Sequence, residues 1–307
     1  QGPVSIQFLL PYAEDLLQRQ DSQFQGKLDD LILTWAGWER AIDIRALGVQ
    51  IYGKKAPHPI ARIGEVSLTL NARALINGIV APTSLEIIRP RLSLASGKNG
   101  QFTLNILDPA TDVDKASSSD EKLLALLLKE LSKSPKEGEA LQYLNRLSVV
   151  DAILNLEDRR RDTNWSARRV DITVERDLKG LRAKFDLEFD LETSRPKIVG
   201  DGTYDQEKGL LDVSFSFERL NPDIITTHFN APSSVRALTT VLDGKMKLQV
   251  DLDGNIKMAN FDVNGAAGSL RLGGNITHPL KFRKFHLRGG LNRDPDQIKI
   301  GGLEIDF

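Results

Sequence analysis

The chain has 307 residues, 41 basic and 42 acidic side chains and a net charge of -1. That balance gives no reason to expect nucleic acid, where basic charge should dominate, so no nucleic-acid partner is expected. There is no cysteine, which excludes disulfides and thiolate chemistry without fixing a compartment.

In chain order, Pro3–Gln20 is predicted as a helix, with Phe8, Leu9, Tyr12, Leu16 and Leu17 near helical spacing and Pro11 close to its start. Short strands follow. Leu31, Leu33 and Trp35 alternate. Ile42 and Ile44 alternate, and Leu47, Val49 and Ile51 resume after a one-residue slip, the signature of a β-bulge. Val66, Leu68 and Leu70 make another strand, followed by Leu85 with Ile87, Leu92 with Leu94, and Phe102 with Leu104 and Ile106. Lys98-Asn99-Gly100 is a hairpin turn. Asp108–Ser119 reads as a polar loop. Ser118-x-x-Glu121 is a capping box opening a helix at Leu123–Leu131 that stops before Pro135, and a second helix is predicted at Glu137–Leu147.

Beyond Ser148 the predicted strands are Val150–Leu156, Val170–Val174, Leu181–Leu191, Leu211–Phe217, Met246–Leu252, Ile256–Val263, Leu270–Leu272, Phe282–Leu287 and Ile298–Phe307, with a short helix at Ser233–Val241. Asp205–Gly209, Asp253-Gly254-Asn255 and Gly273-Gly274-Asn275 are turn signals, and short turns imply antiparallel neighbours. The clearest strand is Leu181–Glu192. Leu181, Ala183, Phe185, Leu187, Phe189 and Leu191 are apolar and every residue between them is charged, so one face is greasy and the other wet. The expected fold is mainly β: a long, curved antiparallel sheet of about fifteen strands forming a groove, with an N-terminal helix and a short helical insertion. Its expected organisation is a membrane-proximal helical segment at 1–24, a β-groove segment at 25–116, the helical insertion at 117–148 and a continuing β-groove segment at 149–307.

Residues suited to chemistry are sparse. His58, His228, His278 and His286 are far apart in sequence. Asp251-x-Asp253-Gly254-Asn255 hints at calcium, but it lacks the loop spacing and distal glutamate of an EF-hand and fits a tight hairpin better. Asp158–Asp162 is a charge run at a hairpin tip. Asp186, Glu188 and Asp190 occupy the wet face of a strand, as any half-exposed sheet requires. No nucleophile elbow, phosphate loop or zinc-protease motif occurs, so neither an enzyme nor a cofactor or metal is expected. The apolar face remains, with two readings: the core of a closed β-sandwich, or an open trough for acyl chains. The residues expected to share that face are Phe185, Leu187, Phe189, Val213, Phe215, Phe217, Met246, Leu248, Val250 and Leu252.

Several stretches resemble the AsmA-like family of periplasmic proteins anchored in the bacterial inner membrane, and within it the YhdP branch, related to TamB. They are Gly2-Pro3-Val4-Ser5 with Phe8-Leu9-Leu10-Pro11-Tyr12, Ile44–Val49, Leu75-Ile76-Asn77-Gly78 with Ile87–Leu92, Leu156-Glu157-Asp158 with Trp165, Gly265–Leu272 and Leu287–Ile300. The helices at 117–147 depart from the family pattern. The resemblance implies a chorein-like, bridge-type lipid-transfer groove and a periplasmic location. It also implies a role in moving phospholipid between inner and outer membranes and in outer-membrane integrity, with envelope proteins as possible partners. Because the chain begins at Gln1 and stops at Phe307 within a strand, it is expected to be a fragment or processed product, with a membrane anchor before Gln1 and more sheet after Phe307. The alternative is a structural or interaction β-sandwich of the cell envelope with no lipid conduit.

Overall fold

A computed structural model of the protein describes residues 3–11, 24–35, 42–53, 59–77, 81–96, 102–107, 143–158, 163–177, 180–191, 194–222, 238–251, 255–271, 278–293 and 296–307. The chain is mainly β, and it divides into two compact units: Gln1–Glu157 with Arg169–Arg176, and Asp158–Arg168 with Asp177–Phe307.

The first unit contains β1 (Val4–Ser5), β2 (Phe24–Lys27), β3 (Asp30–Trp35), β4 (Ile42–Gly53), β5 (Pro59–Leu70), the short helix α1 (Ala72–Ile76), β6 (Pro82–Ile88), β7 (Arg91–Ser96), β8 (Phe102–Leu107) and most of β9 (Arg146–Asp158). Strand β10 (Thr163–Asp177) straddles the division. Strands β3 to β6 pair antiparallel in sequence order, and β1 and β2 pair with β3 and β4. The register sets Leu33, Ile44, Leu68 and Leu85 in one row and Leu31, Ala46, Val66 and Ile87 in the next. Directly opposed residues share a face, so this unit too has one apolar side. Leu31, Ile87, Leu147 and Val149 are buried.

Four expectations for this unit need correction. First, the sheet is mixed. Strand β9 runs parallel to β6, with Leu85 beside Leu147 and Ile87 beside Val149. No short turn joins these strands; β7, β8 and residues 108–142 intervene, which allows the crossover a parallel pair needs. At Val150 the strand passes from β6 towards the chain after it. The Arg89 amide donates to Val150 O at 2.8 Å and the Ile153 amide to Pro90 O at 3.1 Å. Arg89 and Asp151 take left-handed φ values of 52° and 54° at this handover, and the Asp171 carboxylate accepts from the Asp151 amide at 2.8 Å.

Second, the predicted N-terminal helix begins instead as β1 followed by a 3-10 turn at Gln7–Leu9. Edge pairing wins here: Val4 and Ser5 pair with Leu33 and Ile32, and buried Ile6 donates its amide to Leu31 O at 2.8 Å. Leu10 and Pro11 are helical, as predicted, and residues 12–20 of that helix lie outside the described residues.

Third, β4 keeps one register from Ile42 to Ile51, so the predicted bulge before Leu47 is not there; the register shift falls at Ile51/Tyr52. Gly48 instead takes φ +60°, and the Asp29 side chain occupies the space a Cβ would need. Fourth, where the second helix was predicted to end, Tyr143–Asn145 are not helical and Arg146 and Leu147, with Ser148, belong to β9; residues 117–142 of the insertion lie outside the described residues.

The second unit holds β11 (Gly180–Asp190), β12 (Lys197–Asp205), β13 (Leu210–Leu220), β14 (Leu238–Thr239), β15 (Leu242–Asp251), β16 (Ile256–Gly265), β17 (Gly268–Leu270), β18 (Leu280–Phe282), β19 (Lys284–Arg293) and β20 (Asp296–Asp306). Seven of them form an antiparallel ladder in the order β11, β12, β13, β15, β16, β19, β20, open rather than closed into a barrel. Strands β14, β17 and β18 form a separate three-stranded sheet. Leu238–Thr239 is therefore strand where the Ser233–Val241 helix was predicted, and 233–237 lie outside the described residues.

The turn at Asp205–Gly209 forms as its sequence predicts. The Asp205 carboxylate accepts from the Glu207 and Lys208 amides, both at 3.1 Å, and Gly209 takes φ +63°. Between Phe217 and Leu220 the β13–β15 register shifts, Arg219 takes φ +54°, and the Asp243 carboxylate accepts its amide at 2.8 Å. An aspartate on the adjacent strand thus holds a left-handed residue in both units, supplying the acceptor that the broken ladder no longer provides.

Candidate functional site

The site is the apolar face of the seven-stranded ladder, and its register defines it row by row. One row crosses Phe185, Gly200, Phe215, Met246, Phe261, Gly289 and Ile300. A second crosses Ala183, Gly202, Val213, Leu248, Ala259, Leu291 and Ile298; a third crosses Leu187, Ile198, Phe217, Gly244, Val263, Leu287 and Leu303. Val250 lies opposite Leu211 and Ile256. No row contains a charged residue. Of the ten predicted residues, these rows bring together Phe185, Leu187, Val213, Phe215, Phe217, Met246, Leu248 and Val250. Phe189, two residues beyond Leu187 on β11, is on the same face. Leu252 lies outside the described residues.

The opposite face is almost wholly polar. Lys197 pairs with Asp186 at 3.1 Å and Glu188 at 3.9 Å, Arg168 with Glu188 at 2.9 Å, and Gln249 donates to Asp212 at 2.9 Å. Such exposed pairs add little stability, so their role is to keep this face solvated.

Sequence reasoning missed the glycines in the rows. A methyl group on Gly200 would stand 2.6 Å from both Phe185 Cζ and Phe215 Cβ; one on Gly244 would stand 2.7 Å from Phe217 Cζ, and one on Gly289 2.6 Å from Phe261 Cζ. Each ring therefore lies over a glycine of the neighbouring strand. The glycine admits the ring, and the ring restores the apolar cover that a glycine cannot give. The result is a surface of aromatic edges and aliphatic chains.

Exposure is graded along the strands. Phe189, Phe217 and Leu242 are buried at one margin, where Phe282 of the small sheet packs edge-on against Phe285 with centroids 5.6 Å apart. Phe185, Leu187, Val213, Phe215, Met246, Leu248 and Val250 are only half-buried, and Leu211 is exposed. Along the central strands the face thus retains solvent-accessible apolar surface well inside its edges.

The other candidate chemistry resolves into structure. The Asp251 carboxylate accepts from the Asn255 amide at 2.8 Å and from its side-chain Nδ2 at 3.1 Å, and pairs with Lys257 Nζ at 3.1 Å. These bonds, the backbone amide first, pull its pKa down to about 2 from 3.8. The carboxylate is thus engaged in closing the β15–β16 hairpin; Asp253 and Gly254 lie outside the described residues. A depressed folded-state pKa contributes stability above about 3.8 that is lost as pH falls towards about 2. An NMR titration of the Asn255 amide should therefore show a midpoint near 2; a midpoint near the ordinary aspartate value would contradict the hairpin geometry.

Among the described residues no group of three or more histidine, aspartate or glutamate side chains is placed to hold a metal ion. His286 Nε2 lies 2.8 Å from Asp262 Oδ1 on the polar face; His58 and His228 lie outside the described residues. Also among the described residues, no helix is long and apolar enough to cross a membrane. No family model, curated protein or solved structure matches the chain.

Proposed function

We propose that the apolar face of the second unit holds the acyl chains of phospholipids. In this reading the chain is the periplasmic part of an inner-membrane-anchored protein that carries phospholipid between the inner and outer membranes. The observation that carries the lipid reading is the row pattern: seven strands contribute aligned apolar residues, none charged, and the central ones stay half-exposed. Each CH₂ taken from water onto such a surface gains about 0.8 kcal/mol, so an acyl chain can be held with no specific polar contact. The rows run across the strands, and seven strands at about 4.8 Å spacing extend roughly 30 Å, longer than a typical acyl tail. The resemblance to the AsmA-like family, in the order of its segments, supports the envelope location.

Native mass spectrometry of the protein purified from cells in mild detergent tests this. Phospholipid adducts that survive transfer to the gas phase and disappear on delipidation are expected. Lipid-free protein, with the backbone amides of β11–β16 fully protected from hydrogen exchange, would favour the closed interaction module instead.

A further inference from the structure

We propose that β14, β17 and β18 form a wall along one margin of the acyl-binding face, so that a bound phospholipid turns its headgroup out over the opposite margin, at Tyr204 and Leu211. The inference rests on the acyl-binding reading above and adds a sidedness to it. The three short strands continue three strands of the ladder. Strand β14 enters β15 through Thr240–Val241, β16 leaves into β17 through Ala266–Ala267, and β18 enters β19 through Arg283. They pair in the same order as the strands they continue, Leu238 with Leu270 and Gly268 with Phe282. They are therefore a lip bent as one piece out of the ladder. The Thr240 hydroxyl holds the bend by donating to Ala266 O at 2.7 Å, as do the Ala266 amide on Val241 O at 3.2 Å and the Arg283 amide on Asp306 O at 2.7 Å.

The lip folds towards the apolar face. Phe285 is on that face, two residues before Leu287, and its ring fills the space above Gly265 of the neighbouring strand. Phe282 meets this ring edge-on with centroids 5.6 Å apart and is buried, as are Leu242 and Phe217 at this margin. A methyl on Gly268 would stand 2.6 Å from Thr240 Cβ and 3.1 Å from Phe282 Cζ, so the lip packs tightly against its own bend. At the opposite margin the last apolar row is Leu181, Tyr204, Leu211, Val250 and Ile256; Leu211 is exposed and the other four are half-buried. Tyr204 is its one polar member, with a ring for the face and a hydroxyl for the boundary with water. The adjoining hairpins carry Lys208 and Lys257, paired with Asp205 and Asp251 at 3.2 and 3.1 Å, so charge and water begin where the row ends. A headgroup against Phe282 and Leu242 would lose its water and gain no partner, whereas at the open margin it stays hydrated. Because the rows run across the strands, a lipid moving along them keeps its headgroup on the same side throughout.

Single cysteines test this, in a chain that has none of its own. Leu211→Cys marks the open margin. Leu280→Cys marks the lip, on the same side of β18 as Phe282. Both leucines are exposed, so neither substitution removes core packing. The margins are separated along β15 by the stretch from Leu242 to Val250, about 27 Å, beyond the reach of contact quenching by a nitroxide. Phosphatidylcholine with a nitroxide on its headgroup should quench a fluorophore at Leu211→Cys and leave one at Leu280→Cys bright. Phosphatidylcholine with the nitroxide on its acyl chain measures whether lipid is held at all. Equal headgroup quenching at both sites, or stronger quenching at Leu280→Cys, overturns the proposal, as does acyl quenching with no headgroup quenching at Leu211→Cys. No quenching by either probe at either site removes the acyl-binding reading itself, and the sidedness with it. With Phe282→Ala added, the headgroup probe should quench at both sites while acyl quenching persists; Phe282→Leu, which keeps the bulk, should keep the difference. A Phe282→Ala chain that binds lipid with unchanged sidedness would show that the lip is not the wall.

Discussion

Gly200→Ala is expected to destabilise the second unit by about 2–3 kcal/mol, while Gly202→Ala, two residues along the same strand, should be neutral or slightly stabilising. The two glycines share a face of β12 and differ in what lies above them. A methyl at position 200 would meet Ser214 O at 2.5 Å as well as the two phenylalanines at 2.6 Å, and a backbone carbonyl in a ladder cannot swing away. A methyl at position 202 meets its nearest atom, Asp212 O, at 3.5 Å, an ordinary contact, and also removes unfolded-state freedom. Calorimetry should show the second unit's transition falling by roughly 5–10 °C in the first variant and holding in the second. Equal effects at both sites would mean that the rings do not sit over the glycines as described.

The second large effect concerns the middle of the face. Phe215→Asp should abolish phospholipid binding, at least tenfold, yet cost little more stability than Phe215→Ala. Both variants lose the ring's contacts with its row and its packing against Phe217, whose centroid lies 6.4 Å away. They differ only in the carboxylate. On a half-exposed face that group keeps its water, so the two variants should agree to within about 1 kcal/mol. Inside a closed core an unpaired carboxylate would cost several kcal/mol more than alanine and would unfold the unit. Urea melts of the two variants, set beside their bound lipid, therefore separate an open acyl-binding face from a sandwich core. A large Ala-to-Asp gap in stability would refute the proposed function whatever happens to the lipid.

The sequence foretold the face better than the path of the chain. Strand β11 announced itself because its side chains alternate without a break, and β13, β15 and β16 repeat the pattern well enough to place Phe215, Met246 and Leu248 together. Strand β12 went unpredicted although it sits between β11 and β13. Its inward positions include Gly200 and Gly202, so the apolar alternation that marks a strand is carried there by side chains of its neighbours, the Phe185 ring over Gly200 and Leu211 and Val213 over Gly202. A period-two search sees only the residues of one segment and cannot see cover supplied from the next. The parallel pairing of β6 with β9 was hidden for a different reason. Leu147 and Val149 are as apolar as any strand residues, and nothing local states in which direction, or beside which partner, they will lie. The slip at Leu47 was legible as an irregularity, but its form was not, because φ +60° at Gly48 and a bulge leave the same trace in the order of apolar residues.

That parallel pairing bears on how the chain reaches its fold. The second unit is a succession of hairpins and near-hairpins, so most of its ladders close over short loops and each new strand docks on one already formed. Such low contact order favours rapid, stepwise assembly. In the first unit β9 must find β6 after two further strands and a long intervening segment have been made, a search whose loop-closure entropy is spent before any hydrogen bond forms. Until then the apolar edge of β6, with Leu85 and Ile87 in line, has no mate. The slowest and most aggregation-exposed step in folding is therefore expected at the parallel β6–β9 ladder, not on the broad greasy surface of the meander.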